Sequence, residues 1–219
     1  MHIMHAVKDS NQSLILITVG SRTELEFCRK FLPTSKLAKI DNNSFSYSYT
    51  PSSAKYFFLR TGIGKVNSAI STFQAIHKWH PQEVINIGTG SSVTEKPLSL
   101  FIGKMFFEWD LDLSPIGKEK EYYSPSISLL VNEGGLKSTT IATGDSFITP
   151  AKASELLGGR PSLVFDMEAA PQCFLCNKLN LPFASIKCIT DNILSDPSEI
   201  SKNTGEAISH IIDYLNLER

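Results

Sequence analysis

The chain has 219 residues, 42% of them hydrophobic and 20% charged, which is enough for one domain with a sizeable core. Its 21 basic and 22 acidic residues nearly cancel to a net charge of −1, so neither nucleic acid nor an anionic membrane is expected as a partner. The first apolar run, residues 14–19, is too short for a signal sequence or a membrane span, which predicts a cytoplasmic protein. We expect one domain over residues 13–219, preceded by an unstructured lead over residues 1–12.

Short apolar runs alternate with helical patterns along the chain. We interpret residues 14–19, 55–60, 83–86, 138–142, 163–165 and 182–189 as strands. Helical patterns cover residues 25–32, 66–79, 149–159, a segment ending at 177, and 207–215. This alternation predicts an α/β fold, a single-domain three-layer α/β/α sandwich with a mixed, mostly parallel central sheet.

Three local patterns refine this outline. The second helix carries one apolar stripe, consisting of Val66, Ala69, Ile70, Phe73, Ile76 and Trp79, and Pro81 stops it. The third begins with Thr149 as its cap and Pro150 in its first turn, and Gly158-Gly159 closes it. Residues 55–103 leave room for antiparallel strands, and residues 90–137 suit strands with irregular connections, a lid or a dimer contact.

The four cysteines, Cys28, Cys173, Cys176 and Cys188, include one C-x-x-C pair. Zinc would need a second pair of Cys or His ligands, and the sequence supplies none with suitable spacing. We therefore interpret Cys173 and Cys176 as small apolar residues on one helix, and we expect no metal and no cofactor.

Glycines and polar residues follow the strands at six points. They are Gly20-Ser21, Gly62-Ile-Gly64, Gly88-Thr-Gly90, Gly144-Asp145, Asp166-Met-Glu168 and Thr190-Asp191. Ligands of open α/β sheets bind beyond the carboxyl ends of the strands. The pattern therefore predicts a small-molecule site at one edge of the sheet.

Glu24 has two interpretations. Ser21 and Glu24 have the spacing of a capping box, in which both side chains would close the start of the first helix. Thr23 and Glu26 make an equally good box, and in that frame Glu24 is free to point at a site.

Each of the other acids also has a structural explanation. The dipole of a helix favours Asp166 and Glu168 in its first turn, and Asp191 beside Asn192 is typical of an Asx turn. However, carboxylates at three strand ends of one sheet would converge on a single rim.

Five segments resemble those of methylthioadenosine/S-adenosylhomocysteine nucleosidases. They are Thr61-Gly-Ile-Gly-Lys-Val-Asn-Ser-Ala69, Val84-Ile-Asn-Ile-Gly-Thr-Gly90, Thr143-Gly-Asp-Ser-Phe-Ile148, Asp166-Met-Glu-Ala-Ala170 and Ile186-Lys-Cys-Ile-Thr-Asp191. They occur in the family's order and span residues 14–219. Futalosine and aminofutalosine hydrolases of menaquinone synthesis share these motifs and are covered by the same resemblance.

The resemblance implies cleavage of a purine N-glycosidic bond through a cationic, oxocarbenium-like sugar. Asp191 matches the general acid at purine N7, Glu168 the residue that holds the ribose 2′- and 3′-hydroxyls, and Glu24 the carboxylate that activates water. The matching substrate contacts are Phe147 stacked on the base, the Ile148 backbone at its edge, Met167 against the ribose, Thr89 and Gly90 near the sugar and the water, and Thr190 beside the acid.

The sequence departs from the family pattern at several positions. Lys187 stands where Arg is usual and Thr190 where Ser is usual, and the segment after Gly90 lacks the second glycine. Residues 107–117 only loosely resemble the loop that reaches the 5′ side of the substrate. The resemblance therefore leaves open whether the 5′ substituent is methylthio, homocysteinyl or of the futalosine type.

Two other functions stay open at this point. Related phosphorylases use phosphate instead of water, and phosphate is bound well by arginine, which typically stands just before the G-T-x-G turn. Here Asn86-Ile87 precede this turn, and Arg22 is the single candidate for binding phosphate. A non-catalytic nucleoside-binding protein is the third possibility, against which the presence of all three carboxylates argues. The expected partners are thus a purine nucleoside and, by resemblance only, a second copy of the chain in a homodimer.

Overall fold

Strands and helices alternate along the residues that the computed structural model describes, which are 13–49, 54–125, 135–194 and 198–217. The strands are β1 (Leu14–Val19), β2 (Leu37–Lys39), β3 (Ser44–Tyr49), β4 (Ala54–Arg60), β5 (Glu83–Ser92), β6 (Leu100–Glu108), β7 (Lys137–Thr143), β8 (Leu163–Asp166) and β9 (Phe183–Asn192). The α-helices are α1 (Arg22–Phe31), α2 (Lys65–Trp79), α3 (Pro150–Leu157), α4 (Ala169–Lys178) and α5 (Ser198–Tyr214). The lead expected over residues 1–12 lies outside the described residues.

All the described strands belong to one mixed sheet in the order β2-β3-β4-β1-β5-β8-β7-β6-β9. Strand β9 also pairs with β5, so the strands from β5 to β9 close into a ring. The pairs β1–β4, β1–β5, β5–β9, β6–β7 and β7–β8 are parallel, and the remaining ones are antiparallel. The expected α/β class with a mixed, mostly parallel sheet is confirmed.

Helices cover the sheet on two sides, each over its own apolar core. On one side α1 and α5 contribute Leu25, Cys28, Ile208 and Ile211 to a core against β1, β3, β4 and β9. On the other side α2 and α4 pack over a second core, in which Cys173 and Cys176 are fully buried free thiols. The expectation for this cysteine pair is confirmed.

Three residues in the apolar stripe of α2 are exposed. Val66, Ile70 and Phe73 are 67%, 53% and 44% exposed, whereas the buried residues of the helix are Ser68, Thr72 and Ala75. Small side chains face α4 and let the two helices approach closely. The periodicity therefore identified the helix, but Val66, Ile70 and Phe73 lie outside the core, whereas Ile76 and Trp79 pack against it.

Helix α3 begins and ends at the capping residues that the sequence predicts. Thr149 accepts a hydrogen bond from the backbone of Lys152 at the start of α3, and Gly158 ends this helix in the left-handed conformation, as the sequence predicts.

No α-helix in the described ranges is long and apolar enough to cross a membrane.

Candidate active site

Glu24 caps α1 and also reaches β5. Its Oε2 accepts hydrogen bonds from the backbone N and the hydroxyl of Ser21, both at 2.8 Å, which completes the capping box. Its Oε1 accepts from the backbone N of Thr89 at 2.9 Å and from the Thr89 hydroxyl at 3.2 Å. The alternative box of Thr23 and Glu26 is wrong, and the carboxylate of Glu24 both caps α1 and contacts β5.

Glycines allow this close approach. A Cβ on Gly88 would lie 2.8 Å from Oε1 of Glu24, and one on Gly20 would lie 2.8 Å from Oε1 of Glu168. Any side chain at either position would displace a carboxylate of the site. The glycines after β1 and within β5 therefore create the space into which Glu24 and Glu168 fit.

The carboxyl group of Glu168 is buried and has a single described hydrogen bond. The backbone N of Gly64, at the start of α2, donates to its Oε1 at 3.3 Å. Burial raises the pKa of Glu168 to about 8, and the negative charges of Asp166 and Glu24 contribute to this rise. The positive charge of Lys187 and the hydrogen bond from Gly64 N–H lower the pKa but do not offset the effect of burial. Glu168 is therefore mostly protonated at neutral pH in the free protein.

Asp166 and Lys187 form a buried ion pair below Glu168. Lys187 Nζ lies 2.9 Å from Oδ2 of Asp166, and both side chains are almost inaccessible. Burial alone would lower the pKa of Lys187, but the charges of Asp166 and Glu168 and the hydrogen bond to Asp166 raise it overall. Asp166 also accepts from the hydroxyl of Thr143 and caps α4 through the backbone N of Ala169. Asp166 is thus the acid that stabilises the start of α4, as the structural explanation predicts. The carboxyl group of Glu168 does not cap the helix and is available for the site.

Asp191 lies within β9, where two hydroxyl groups hold it. Ser91 on β5 and Thr190 donate to its Oδ1 at 2.8 and 2.9 Å, and the carboxylate is almost fully buried. Strand β9 pairs with β5 through Asn192, with a register shift between Gly90 and Ser91. Asn192 Oδ1 accepts a hydrogen bond from the backbone N of Leu194 at 2.9 Å, so Asn192 forms the Asx turn and the carboxylate of Asp191 takes no part in it. Among the described residues no hydrogen bond reaches Oδ2, which leaves one oxygen of Asp191 for a ligand.

The residues expected to hold the base and the ribose line the same region less tightly. Phe147, in the loop between β7 and α3, is 81% exposed. Ile148 is partly buried against Phe107 and its neighbours, and Met167 is half-buried between Asp166 and Glu168. Gly90 has no room for a side chain, because a Cβ there would lie 2.7 Å from Val164.

Arg22 lies apart from this cluster. It is exposed and lines a separate cavity of about 290 Å³ with Leu25, Glu26, Arg29, Lys39 and Asn42. Among the described residues, no arginine forms a hydrogen bond or an ion pair with Glu24, Glu168 or Asp191. The titratable cluster lies outside this cavity, and the candidate site is at the carboxylates because the buried charges converge there.

Sequence reasoning missed two supporting residues. Lys187 was noted only as a replacement for arginine, although a lysine inside the apolar strand from Phe183 to Ile189 needs a buried partner. Ser91 follows the Gly88-Thr-Gly90 segment and carries no signal of its own. In the part of the chain that the structure describes, no group of three or more His, Cys, Asp or Glu side chains is placed to hold a metal ion.

The fold and this cluster define an α/β protein with an acidic small-molecule site where β1, β5, β8 and β9 meet. The chain belongs to the phosphorylase superfamily, whose family model matches residues 14–215. The family expected from the sequence motifs is therefore confirmed.

Curated relatives and solved structures are similar over most of the chain. A 5′-methylthioadenosine/S-adenosylhomocysteine nucleosidase of Bacillus subtilis is 27% identical over 80% of this chain and 85% of its own. The one of Anoxybacillus flavithermus is 27% identical over 81% of this chain and 84% of its own. The structure of a futalosine hydrolase mutant of Helicobacter pylori superposes with a TM-score of 0.81 at 20% identity, covering 94% of this chain and 97% of that one.

Proposed function

We propose that this protein is a nucleosidase that hydrolyses the N-glycosidic bond of a 5′-modified purine nucleoside. One observation carries the proposal: Glu24 and Asp191 accept hydrogen bonds from Thr89 and Ser91 of β5, and Glu168 lies close enough to Glu24 for their charges to interact. The relatives named above are nucleosidases, and the expected enzyme class, a hydrolase of N-glycosyl bonds, is confirmed at that level. The residue roles and the substrate are our proposal.

Asp191 is the proton donor in this proposal. Breaking the bond sends an electron pair to the purine, which leaves easily only when a nitrogen of the base takes up a proton. Ser91 and Thr190 fix one oxygen of Asp191, and the other can hold the proton toward the ligand. The hydroxyl donors thus orient the acid rather than contact the substrate themselves.

Glu168 serves the ribose in this proposal. A protonated carboxyl both donates and accepts hydrogen bonds, which suits a pair of neighbouring hydroxyl groups. As positive charge develops on the sugar, the ionised form of Glu168 becomes more favourable, because the cation offsets the cost of its burial.

Water is the nucleophile that the geometry supports better than phosphate. A bound phosphate needs arginine or several free N–H donors, and Arg22 lines the separate cavity. The lysine of the site, Lys187, is paired with Asp166. Glu24 is a carboxylate, which accepts a proton from water but repels a phosphate dianion.

The substrate class is supported by what the similar structures contain. One of them is a Neisseria meningitidis 5′-methylthioadenosine/S-adenosylhomocysteine nucleosidase in complex with methylthio-immucillin-A, with a TM-score of 0.77 at 19% identity and coverage of 94% of this chain and 99% of that one. We therefore propose an adenine nucleoside with a thioether or futalosine-type 5′ substituent. A cytoplasmic location stays a prediction from the sequence.

The test is release of adenine in phosphate-free buffer from methylthioadenosine, S-adenosylhomocysteine and aminofutalosine, each supplied separately and followed by chromatography. Asp191→Asn should lower kcat by at least about a hundredfold, since general acids contribute roughly 10²–10⁴-fold. Asp112→Asn is the matched control, because Asp112 is exposed and bonds only within its own turn. Release that requires added phosphate would instead identify a phosphorylase, and binding without release would identify a nucleoside-binding protein.

We further propose that the protein is a homodimer that covers the outer stripe of α2. Ile63, Val66, Ile70 and Phe73 are each 44–67% exposed and follow one another at helical spacing. This stripe begins beside Gly64, so a second copy seated on it would lie next to Glu168. Sedimentation should give a dimer for the wild type and a monomer for Val66→Glu, whereas a wild-type monomer at micromolar concentration would contradict the proposal.

A further inference from the structure

A closed ring of hydrogen bonds joins three separate segments beside the candidate site. Lys65, the first residue of α2, donates from Nζ to Oδ1 of Asp110 at 2.7 Å. The backbone N of Asp145, in the loop after β7, donates to Oδ2 of the same Asp110 at 2.8 Å. The backbone N of Lys65 donates to Oδ1 of Asp145 at 2.7 Å. Each of the three residues therefore contacts the other two.

Charge and partial burial strengthen this ring. The side chains of Lys65 and Asp110 are 18% and 23% exposed, and Glu108 at the end of β6 accepts a second bond from Lys65 Nζ at 2.8 Å. Burial alone would raise the pKa of Asp110, but the bonds from Lys65 and from the Asp145 backbone lower it below its ordinary value. Charge-assisted bonds of this length are about twice as strong as neutral ones. Asp110 therefore holds both segments as an ionised carboxylate.

Both segments that Asp110 holds lead directly to proposed substrate contacts. Gly64, one residue before Lys65, donates its backbone N–H to Glu168. Asp145 lies two residues before Phe147, in the loop that we propose to hold the base. The fit between the segments is tight, since a Cβ on Gly64 would lie 2.9 Å from Oδ1 of Asp145.

Trp109 packs against the same loop. A Cβ added to Gly144 would collide with the indole ring of Trp109, and the Trp109 backbone N donates to the carbonyl of Thr143 at 2.9 Å. Trp109, which precedes Asp110, thus packs on Gly144, which precedes Asp145. Trp109 is therefore a built-in reporter of where this loop lies.

We infer that Asp110 is a positioning residue for the base: it fixes the loop of residues 144–148 against the start of α2, and so sets where Phe147 and the Ile148 backbone meet the nucleoside. This inference rests on the proposed function for its kinetic consequence. Asp110 touches neither Glu24 nor Asp191 nor Glu168 among the described contacts, so its effect passes through Lys65 and Asp145. Stacking of Phe147 on the base is made in both the ground state and the transition state, so its loss raises KM and leaves kcat nearly unchanged.

The experiment compares Asp110→Asn with Asp112→Asn. An asparagine has the same shape, but it lacks the charge, and its amide nitrogen cannot accept the bond from the Asp145 backbone. Asp112 lies two residues further on, is exposed, and its described hydrogen bonds are to Ser114. We expect KM to rise about tenfold in Asp110→Asn with kcat within about threefold of the wild type, and neither to change in Asp112→Asn.

A second readout needs no substrate. In a Trp79→Phe background Trp109 is the remaining tryptophan, and its quenching by acrylamide should increase in Asp110→Asn and in Lys65→Met, but not in Asp112→Asn. The double variant Asp110→Asn with Lys65→Met should quench no more than either single variant, because both cut the same ring. Lys65→Met also serves if Asp110→Asn does not fold.

The outcomes separate the two proposals. Wild-type KM and wild-type Trp109 quenching in Asp110→Asn would overturn the inference, as would lower stability with an unchanged KM. A fall in kcat with an unchanged KM would also overturn it, because the ring would then act on the chemistry. If the wild type cleaves no nucleoside, the proposed function fails, while the quenching experiment still decides whether Asp110 holds the loop.

Discussion

Replacing Lys187 with methionine should destabilise the fold, because it leaves an acid buried without its counter-charge. Lys187 Nζ lies 2.9 Å from Asp166 Oδ2, and the two side chains are 2% and 0% exposed. Methionine fills a similar volume, so the main change is the lost charge. Breaking a buried pair by removing one partner costs about 3–5 kcal/mol. For a chain of this size that corresponds to a fall in Tm of roughly 6–20 °C.

The assay is thermal and urea unfolding of three variants at pH 7. Lys187→Met should show the full loss, and Lys187→Arg should lose less because it keeps the charge. The double variant Lys187→Met with Asp166→Asn should recover much of the stability, since it removes both charges from the interior. If the double variant is no more stable than Lys187→Met, charge imbalance is not the cause, and lost packing around the lysine stem would explain the effect instead.

The same substitution has a kinetic consequence. The charge of Lys187 lowers the pKa of Glu168 against the effect of burial. Its removal should therefore move the pKa of Glu168 above about 8 and make ionisation during the reaction harder. The pH at which kcat changes with the ionisation of Glu168 should shift to a higher value in Lys187→Met and stay in place in Lys187→Arg. An unchanged profile in Lys187→Met would show that Lys187 and Glu168 are not coupled.

Three further predictions follow from the site. Glu168→Gln should abolish turnover. It should also be more stable than the wild type by roughly 4–5 kcal/mol at pH 9, because the pKa of Glu168 in the folded protein, about 8, lies above its ordinary value of 4.5. This stability difference should be absent below pH 4 and grow as the pH rises to about 8, and urea unfolding at several pH values would measure it. Ser91→Ala removes a donor to Asp191 and should lower kcat about tenfold without a matching rise in KM, a result that a normal kcat would contradict. Gly88→Ala places a Cβ 2.8 Å from Glu24 Oε1 and should lower kcat by at least about tenfold, and a crystal structure should show the carboxylate displaced.

The predicted strands carry short apolar runs, most clearly in β1, β8 and β9. Strand β3 was missed although Ser44-Phe-Ser-Tyr-Ser-Tyr49 alternates with the period of a strand, because every second residue is a serine and no continuous apolar run marks it. The orientation of α2 was not predictable, since periodicity identifies a stripe but not what lies against it. Its inner face consists of small residues such as Ser68 and Ala75, which give little hydrophobic signal.

The sequence predicted which carboxylates form the candidate site, but not the hydrogen-bond donors that surround each of them. The sequence places Glu24, Glu168 and Asp191 near the ends of strands, yet all three are buried to a similar degree, at 6%, 8% and 6% exposure. What separates them is their donors, which come from residues distant in the chain, such as Thr89 for Glu24 and Gly64 for Glu168. Only the folded structure brings those donors to the carboxylates.

The donors to Glu24 bear on how it could activate water. A carboxylate offers about four acceptor positions, and Glu24 uses four of them, on two groups of Ser21 and two of Thr89. A water can approach only by replacing one of these bonds, and the bond from the Thr89 hydroxyl is the longest at 3.2 Å. Thr89→Val removes that hydroxyl and keeps the shape and the backbone N–H. If water takes the place of the hydroxyl, kcat should stay within about threefold of the wild type; if the hydroxyl itself holds Glu24 in place, kcat should fall by about tenfold, and the proposed exchange would be wrong.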